Sequence, residues 1–288
     1  MKFAPFEYAA PATLAEAVAL LASSGGAKVL AGGQSLLPTM AFRLATPSLL
    51  VDIRRLNDLR RISIGADGVR LGARTRWRDI EDDARLRTAH PLLVAAISHV
   101  AHYQIRNRGT VGGSLAHADP AAEMPGIAVA CDAQIRVLGP KGERVIEAGR
   151  FFTGALTTSL ADDELIVEVH LPAWPAARRW GFEELARRRG DFALAGVATY
   201  YDVDAGGKAV NAHVGVIGAC LRPHRIPQAE KALNGRVVDD AAIQAAARAA
   251  EAALEPPSDL HASAAYRRAL AGTLLERALQ QAAQRGKA

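Results

Sequence analysis

Leu30-Ala31-Gly32-Gly33-Gln34-Ser35-Leu36 and, far downstream, Thr110-Val111-Gly112-Gly113-Ser114-Leu115 are the stretches around which the rest of the chain is arranged. Each sets two adjacent glycines beside a hydroxyl residue within an otherwise apolar run. Glycine lets the backbone turn at positive φ and lets another group approach the main chain closely. Consecutive N–H groups at such bends form concave nests for anions, and a nearby Ser or Thr hydroxyl adds a donor. Either segment alone reads as an ordinary tight turn. Together they point to two facing nests that grip the pyrophosphate of a dinucleotide.

Outward from the first segment, Thr13-Leu14-Ala15-Glu16 reads as a capping box, and Leu14, Val18 and Leu21 follow on one helical face. Lys28 to Ala31 and Leu49 to Ile53 read as strands, so the first 57 residues or so form a β-α-β unit. Around the second segment, Pro91 to Val100 and Pro120 to Ala130 read as helices. A hairpin is expected about Gly139-Pro140-Lys141-Gly142, and Leu165 to Leu171 reads as a strand. Pro172 and Pro175 then mark a boundary. Beyond it, Ala195 to Val203 and Val210 to Val216 read as strands, the second with alternate residues buried. Two helices follow, with stripes at Ile243, Ala247, Ala250 and Leu254 and at Tyr266, Leu270 and Leu274. The expected division is a domain over residues 1–176, in subdomains of about 1–57 and 58–176, and a smaller one over 177–288.

A chain of 288 residues, half of them hydrophobic, can bury a substantial core. No apolar run approaches the ~18 residues of a membrane-spanning helix. The N-terminus lacks the signature of a secretory signal, so a soluble intracellular protein is expected. Cys131 and Cys220 alone cannot ligate an all-cysteine iron–sulfur cluster. The formal charge of +5 is spread among mixed Arg and acidic residues, without the aromatic interleaving of a nucleic-acid binder.

No G-x-G-x-x-G opens a helix after the first strand, and no Walker lysine motif is present. His99 and His102 could share a helical face, but no third ligand stands at metal-binding spacing. Ser114 and His117 could be drawn as nucleophile and base, yet no G-x-S-x-G elbow surrounds Ser114. Asp119 and Glu123 are four apart. They read as the N-cap and first turn of a helix, or as acceptors for ribose or ribityl hydroxyls.

Residues 31–40 and 106–123, which contain the two glycine segments, resemble the two FAD motifs of molybdenum hydroxylase flavoprotein subunits. That family includes xanthine dehydrogenase and aerobic carbon monoxide dehydrogenase. Three further stretches fit it: 44–56, Arg189-Gly190-Asp191-Phe192-Ala193, and Tyr266-Arg267-Arg268-Ala269-Leu270. The resemblance covers nearly the whole chain. It implies an α+β fold: a vanillyl-alcohol-oxidase (PCMH)-type FAD-binding domain of two subdomains, then a smaller α+β C-terminal domain.

It also implies noncovalent FAD, with Leu30 to Leu36 and Thr110 to Leu115 around the pyrophosphate and Asp119 and Glu123 near sugar hydroxyls. Leu165 would be an apolar contact. Phe192 would lie beside the isoalloxazine, where relatives often carry Tyr. No catalytic acid–base residue and no metal ligand are expected on this chain. Implied partners are a large subunit with molybdopterin cytosine dinucleotide and a small one with [2Fe-2S] clusters, in a dimer of heterotrimers. The chain would take electrons from the clusters and pass them to an external acceptor. A cytoplasmic location follows, or one peripheral to the inner membrane through the complex. A free-standing FAD-dependent oxidoreductase and a non-redox nucleotide-binding assembly factor are the alternatives.

Overall fold

The computed structural model describes residues 2–285. Its first elements are β1 (Glu7–Ala9), α1 (Leu14–Ser23), β2 (Ala27–Leu30), α2 (Leu36–Ala41) and β3 (Leu49–Asp52). The three strands form one parallel sheet in the order β1-β3-β2. α1 begins as its sequence dictates. The Thr13 hydroxyl accepts the N–H of Glu16 at 3.2 Å, and the Glu16 carboxylate accepts the N–H of Ala12 at 2.8 Å, a cap worth about 1 kcal/mol. Ala17, Val18 and Leu21 then face the core. β1 and α2 add to the expected β-α-β unit; elements this short leave no periodic signature.

The next elements are β4 (Ile62–Gly65), β5 (Gly68–Gly72), α3 (Trp77–Asp82), α4 (Leu86–Ala89), α5 (Pro91–Ile97), α6 (Tyr103–Arg106), α7 (Val111–His117) and α8 (Glu123–Ala130). After them come β6 (Gln134–Gly139), β7 (Gly142–Glu147), α9 (Ala148–Phe151), β8 (Phe152–Gly154), β9 (Thr157–Thr158) and β10 (Leu165–Pro172). Five strands form an antiparallel sheet in the order β4-β5-β10-β6-β7, and β8 pairs with β9. The β6–β7 hairpin turns at the expected Gly139 and Gly142. β10 joins two cores. Leu165 and Val167 pack with the parallel sheet, whereas Ile166, Val169 and Leu171 join the main cluster. A bulge between Ile166 and Glu168 shifts the alternation, as an extra residue in one strand must.

The C-terminal elements are β11 (Arg179–Leu185), β12 (Ala195–Val203), β13 (Ala209–Ile217), β14 (His224–Arg225), α10 (Pro227–Leu233), α11 (Asp240–Ala253) and α12 (Ala264–Arg285). The strands form an antiparallel sheet in chain order. One face packs on α10–α12 through Val197, Tyr201 and Val214; the other lends Phe182, Ala198 and Tyr200 to the main core. The fold is α+β, as expected.

Four local expectations are corrected. α8 starts at Glu123 rather than Pro120, because Ala118 at φ 54° ends α7 and the Asp119 carboxylate accepts the N–H of Ala121 at 2.8 Å. Residues 119–122 are therefore a turn, and Asp119 caps that turn rather than the helix. α5 ends at Ile97, so His99 and His102 share no helix; His102 precedes α6. β13 does not alternate. Asn211 at φ 53° bulges it, Val210 is exposed, and the strand from Ala212 onward is buried because both sheet faces are covered. On α12 the buried stripe runs through Arg267, Ala271, Leu274 and Ala278, leaving Tyr266 half exposed.

Candidate cofactor site

β2 delivers the chain into the first glycine bend, and α2 carries it away. Leu30 packs with Met40 and Leu50, with Leu36 and Leu37 against them, so the two ends of the bend are anchored in one small core. Gly33 turns at φ 73°, a conformation that L side chains adopt at a cost of about 1–2 kcal/mol. The Gln34 amide folds back to the Gly32 carbonyl at 3.1 Å. The N–H groups of Gly32, Gly33, Gln34 and Ser35 have no acceptor among the described residues. Four successive donors thus line one half-buried bend, the arrangement that accepts a phosphate.

The second glycine segment is built differently. It opens α7 rather than a loop, with Thr110 as N-cap and its hydroxyl accepting the N–H of Gly113 at 3.2 Å. Val111 N–H donates to the Thr75 carbonyl at 2.9 Å, and Gly112 N–H to that of Ala73 at 2.8 Å. These amides are spent inside the protein, so the expected second nest of free backbone donors is not there. Gly112 is bare because a Cβ would stand 2.7 Å from the Ala73 Cβ. What this segment presents is the half-buried pair Gly113 and Ser114; Val111 and Leu115 are core residues.

The fold does bring the two segments together. A Cβ on Gly32 would collide with the Arg108 carbonyl and lie 3.0 Å from the Gly109 Cα. The first bend therefore lies directly on the residues leading into the second.

Asp119 lies beyond α7 and lines a cleft of about 590 Å³ whose far wall includes Phe192, Gly190, Arg187 and Arg267. Phe192 is 66% exposed. Gly190, at φ 91°, abuts the His102 ring. Glu123 stands at the first position of α8, half-buried. Burial raises its pKa, and the Asp119 charge adds to the shift. Leu165 is buried in the cluster that Ala31 flanks.

The motifs do not disclose the role of Arg267, although the stretch Tyr266 to Leu270 that contains it fits the family. It is 5% exposed and donates to the carbonyls of Leu194 at 2.7 Å and Gly218 at 2.9 Å, and to Asp259 at 2.7 Å. It holds Asp259 down to about 2. A cation in the wall of a cleft is invisible to helical periodicity, which marked its neighbour Tyr266 instead.

Residues 4–174 match the profile of the FAD binding domain in molybdopterin dehydrogenase, and residues 180–282 match the CO dehydrogenase flavoprotein C-terminal domain. The chain belongs to this flavoprotein family. It is 40% identical over 285 residues to the nicotine 6-hydroxylase medium subunit of Paenarthrobacter nicotinovorans, covering 99% of this chain and 100% of that one. A carbon monoxide dehydrogenase structure from Hydrogenophaga pseudoflava, one lacking the Mo-pyranopterin moiety of its cofactor, matches with a TM-score of 0.96 at 40% identity, covering 99% of each chain. Quinoline 2-oxidoreductase from Pseudomonas putida 86 matches with a TM-score of 0.95 at 40% identity, covering 100% of each. The chain is thus a medium, FAD-binding oxidoreductase subunit of the molybdenum hydroxylase family. Relatives across the family are named as subunits of larger complexes. Among the described residues, no helix is long and apolar enough to cross a membrane.

Proposed function

We propose that this chain is the electron-transfer subunit of a molybdenum hydroxylase complex, holding one noncovalent FAD across the first glycine bend and the cleft beside Phe192. The observation that carries this is the run of four unspent amides from Gly32 to Ser35, lying against the chain that enters the second glycine segment. In this reading Ala31 to Ser35 hold the pyrophosphate with backbone donors. Ser114 adds a hydroxyl, and Thr110, Gly112 and Gly113 shape the wall it stands on. Leu30, Leu36, Val111 and Leu115 act from below by fixing the backbone, and Leu165 supports Ala31 in the same way. Asp119 and Glu123 take sugar hydroxyls, which a carboxylate accepts readily. Phe192 offers an apolar face to the isoalloxazine, without the hydrogen bond a tyrosine would supply. The domain boundary near residue 176 belongs to the same reading, with the flavin cleft between the domains.

The chemistry that bound FAD supplies is the acceptance of electrons from [2Fe-2S] clusters on a small partner subunit and their delivery to an external acceptor. The chain's own residues position that group and shield one side of it. A large subunit with molybdopterin cytosine dinucleotide would carry out the hydroxylation, in a cytoplasmic dimer of heterotrimers.

Co-expression with neighbouring large and small subunit genes tests this. The three chains should purify together, with flavin, iron and molybdenum, and substrate should bleach the flavin absorbance only in the complete complex. Turnover of a soluble donor by the isolated chain would favour the free-standing oxidoreductase instead. A chain that never holds flavin would favour the assembly factor.

A further inference from the structure

Away from the flavin cleft, a second cavity of about 170 Å³ opens at the seam between the two family domains, lined by His90, Cys131, Trp174, Arg178, Tyr200 and His213 among others. His90 is fully buried. Its Nδ1 accepts the N–H of Leu93 at 3.2 Å, which puts the proton of the neutral ring on Nε2. Nε2 has no hydrogen-bond partner among the described residues, and an orphaned buried donor costs about 1–3 kcal/mol. Burial lowers the His90 pKa to about 3, so the ring stays neutral at working pH.

Two more donors face the same space. Arg178 gives Nε and one Nη to Asp202 at 2.9 and 2.8 Å. Its guanidinium lies 5.0 Å over the Trp174 ring and 4.3 Å over that of Tyr200, and its other Nη has no hydrogen bond among the described residues. The Tyr200 oxygen is 2.9 Å from His213 Nδ1, which is also 2.8 Å from the Ala130 carbonyl. A carbonyl only accepts, so the tautomer of His213 with its proton on Nδ1 donates to Ala130 and leaves the Tyr200 hydroxyl proton over, while Nε2 of the same ring stands 3.2 Å from the Asn211 side-chain amide. The nearby acceptors are engaged: Asp202 by Arg178 and by Asn211 at 3.1 Å, Asp132 by Arg225 at 2.9 and 3.0 Å. Burial keeps the Cys131 thiol protonated. The cavity has donors to spare between flat aromatic walls, and the one carboxylate in its lining, Asp132, is held by Arg225.

We propose that this cavity binds a small carboxylate of acetate size, held by His90 Nε2, the Tyr200 hydroxyl and the free Nη of Arg178. Flat oxygen-bearing groups match the planar guanidinium and the aromatic flanks better than a spherical ion does. His90, Cys131 and Trp174 come from the FAD domain, Tyr200 and His213 from the C-terminal one, so an occupant ties the two together.

Titration calorimetry of acetate into the purified, flavin-loaded protein, against chloride at equal ionic strength, tests it. Saturable binding is expected, weakened about tenfold in Tyr200→Phe, which removes one donor and keeps the ring. Should that variant fail to fold, Arg178→Met provides the same reading. A crystal grown in acetate should show planar density within hydrogen-bond distance of His90 Nε2. No saturable binding, equal binding by the folded variant, or waters alone in that density would each overturn the proposal.

Discussion

A side chain at position 33 would have to adopt φ 73° and also displace Leu37 and Leu30, whose methyl carbons stand 3.0 and 3.3 Å from where its Cβ would be. Valine does both badly, because β-branching makes positive φ costlier still. Gly33→Val is expected to lose FAD on purification while keeping its far-UV circular dichroism; stoichiometric flavin in that variant would show that the bend is not the phosphate site. Ser114→Ala makes a gentler test of the second segment. It sits in α7 with its backbone bonds intact, so only the hydroxyl is lost. About a tenfold rise in the FAD dissociation constant is expected, roughly the worth of one hydrogen bond to a charged group, as measured by fluorescence quenching. The glycines and Ser114 were legible in the sequence. That the amides of Val111 and Gly112 are spent on Thr75 and Ala73 was not, since those partners come from a segment the motif does not contain.

Among the elements, α12 shows both what periodicity reveals and where it stops. Its amphipathic character is readable, but its extent to Arg285 is not, and the buried stripe starts at Arg267 rather than Tyr266 and shares only Leu274 with the expected one. That arginine ties the residue before β12, the residue after β13 and the loop before α12 into one cleft wall. Arg267→Met leaves two buried carbonyls without their donor, and a cost of about 3–5 kcal/mol in urea denaturation is expected, with weakened flavin retention. β13 teaches the same lesson. Alternation in sequence implies one wet face, but here α8 covers the second face and a bulge at Asn211 shifts the register. Burial by a distant element leaves no local trace.

Across the whole molecule, the two domains place two carboxylates close together. Glu184 on β11 has its pKa raised by burial and by the charge of Glu123 on α8, and one of its oxygens is buried without a partner among the described residues. A carboxyl whose folded pKa is raised favours the protonated native state. Its contribution is complete below the ordinary glutamate range and is lost as pH climbs through the raised value. Glu184→Gln should therefore be more stable than the parent chain at about pH 8, by on the order of 1 kcal/mol. That advantage should shrink as pH falls toward about 5; urea denaturation across the range checks it, and an advantage independent of pH would contradict the pairing.

The central claim concerns where the diphosphate of FAD is held. A crystal structure of the purified protein with FAD measures that directly. The account predicts phosphate oxygens within hydrogen-bond distance of the N–H groups of Gly32, Gly33, Gln34 and Ser35, with the isoalloxazine in the cleft beside Phe192. A diphosphate bound elsewhere, with those four amides facing only water, would contradict it.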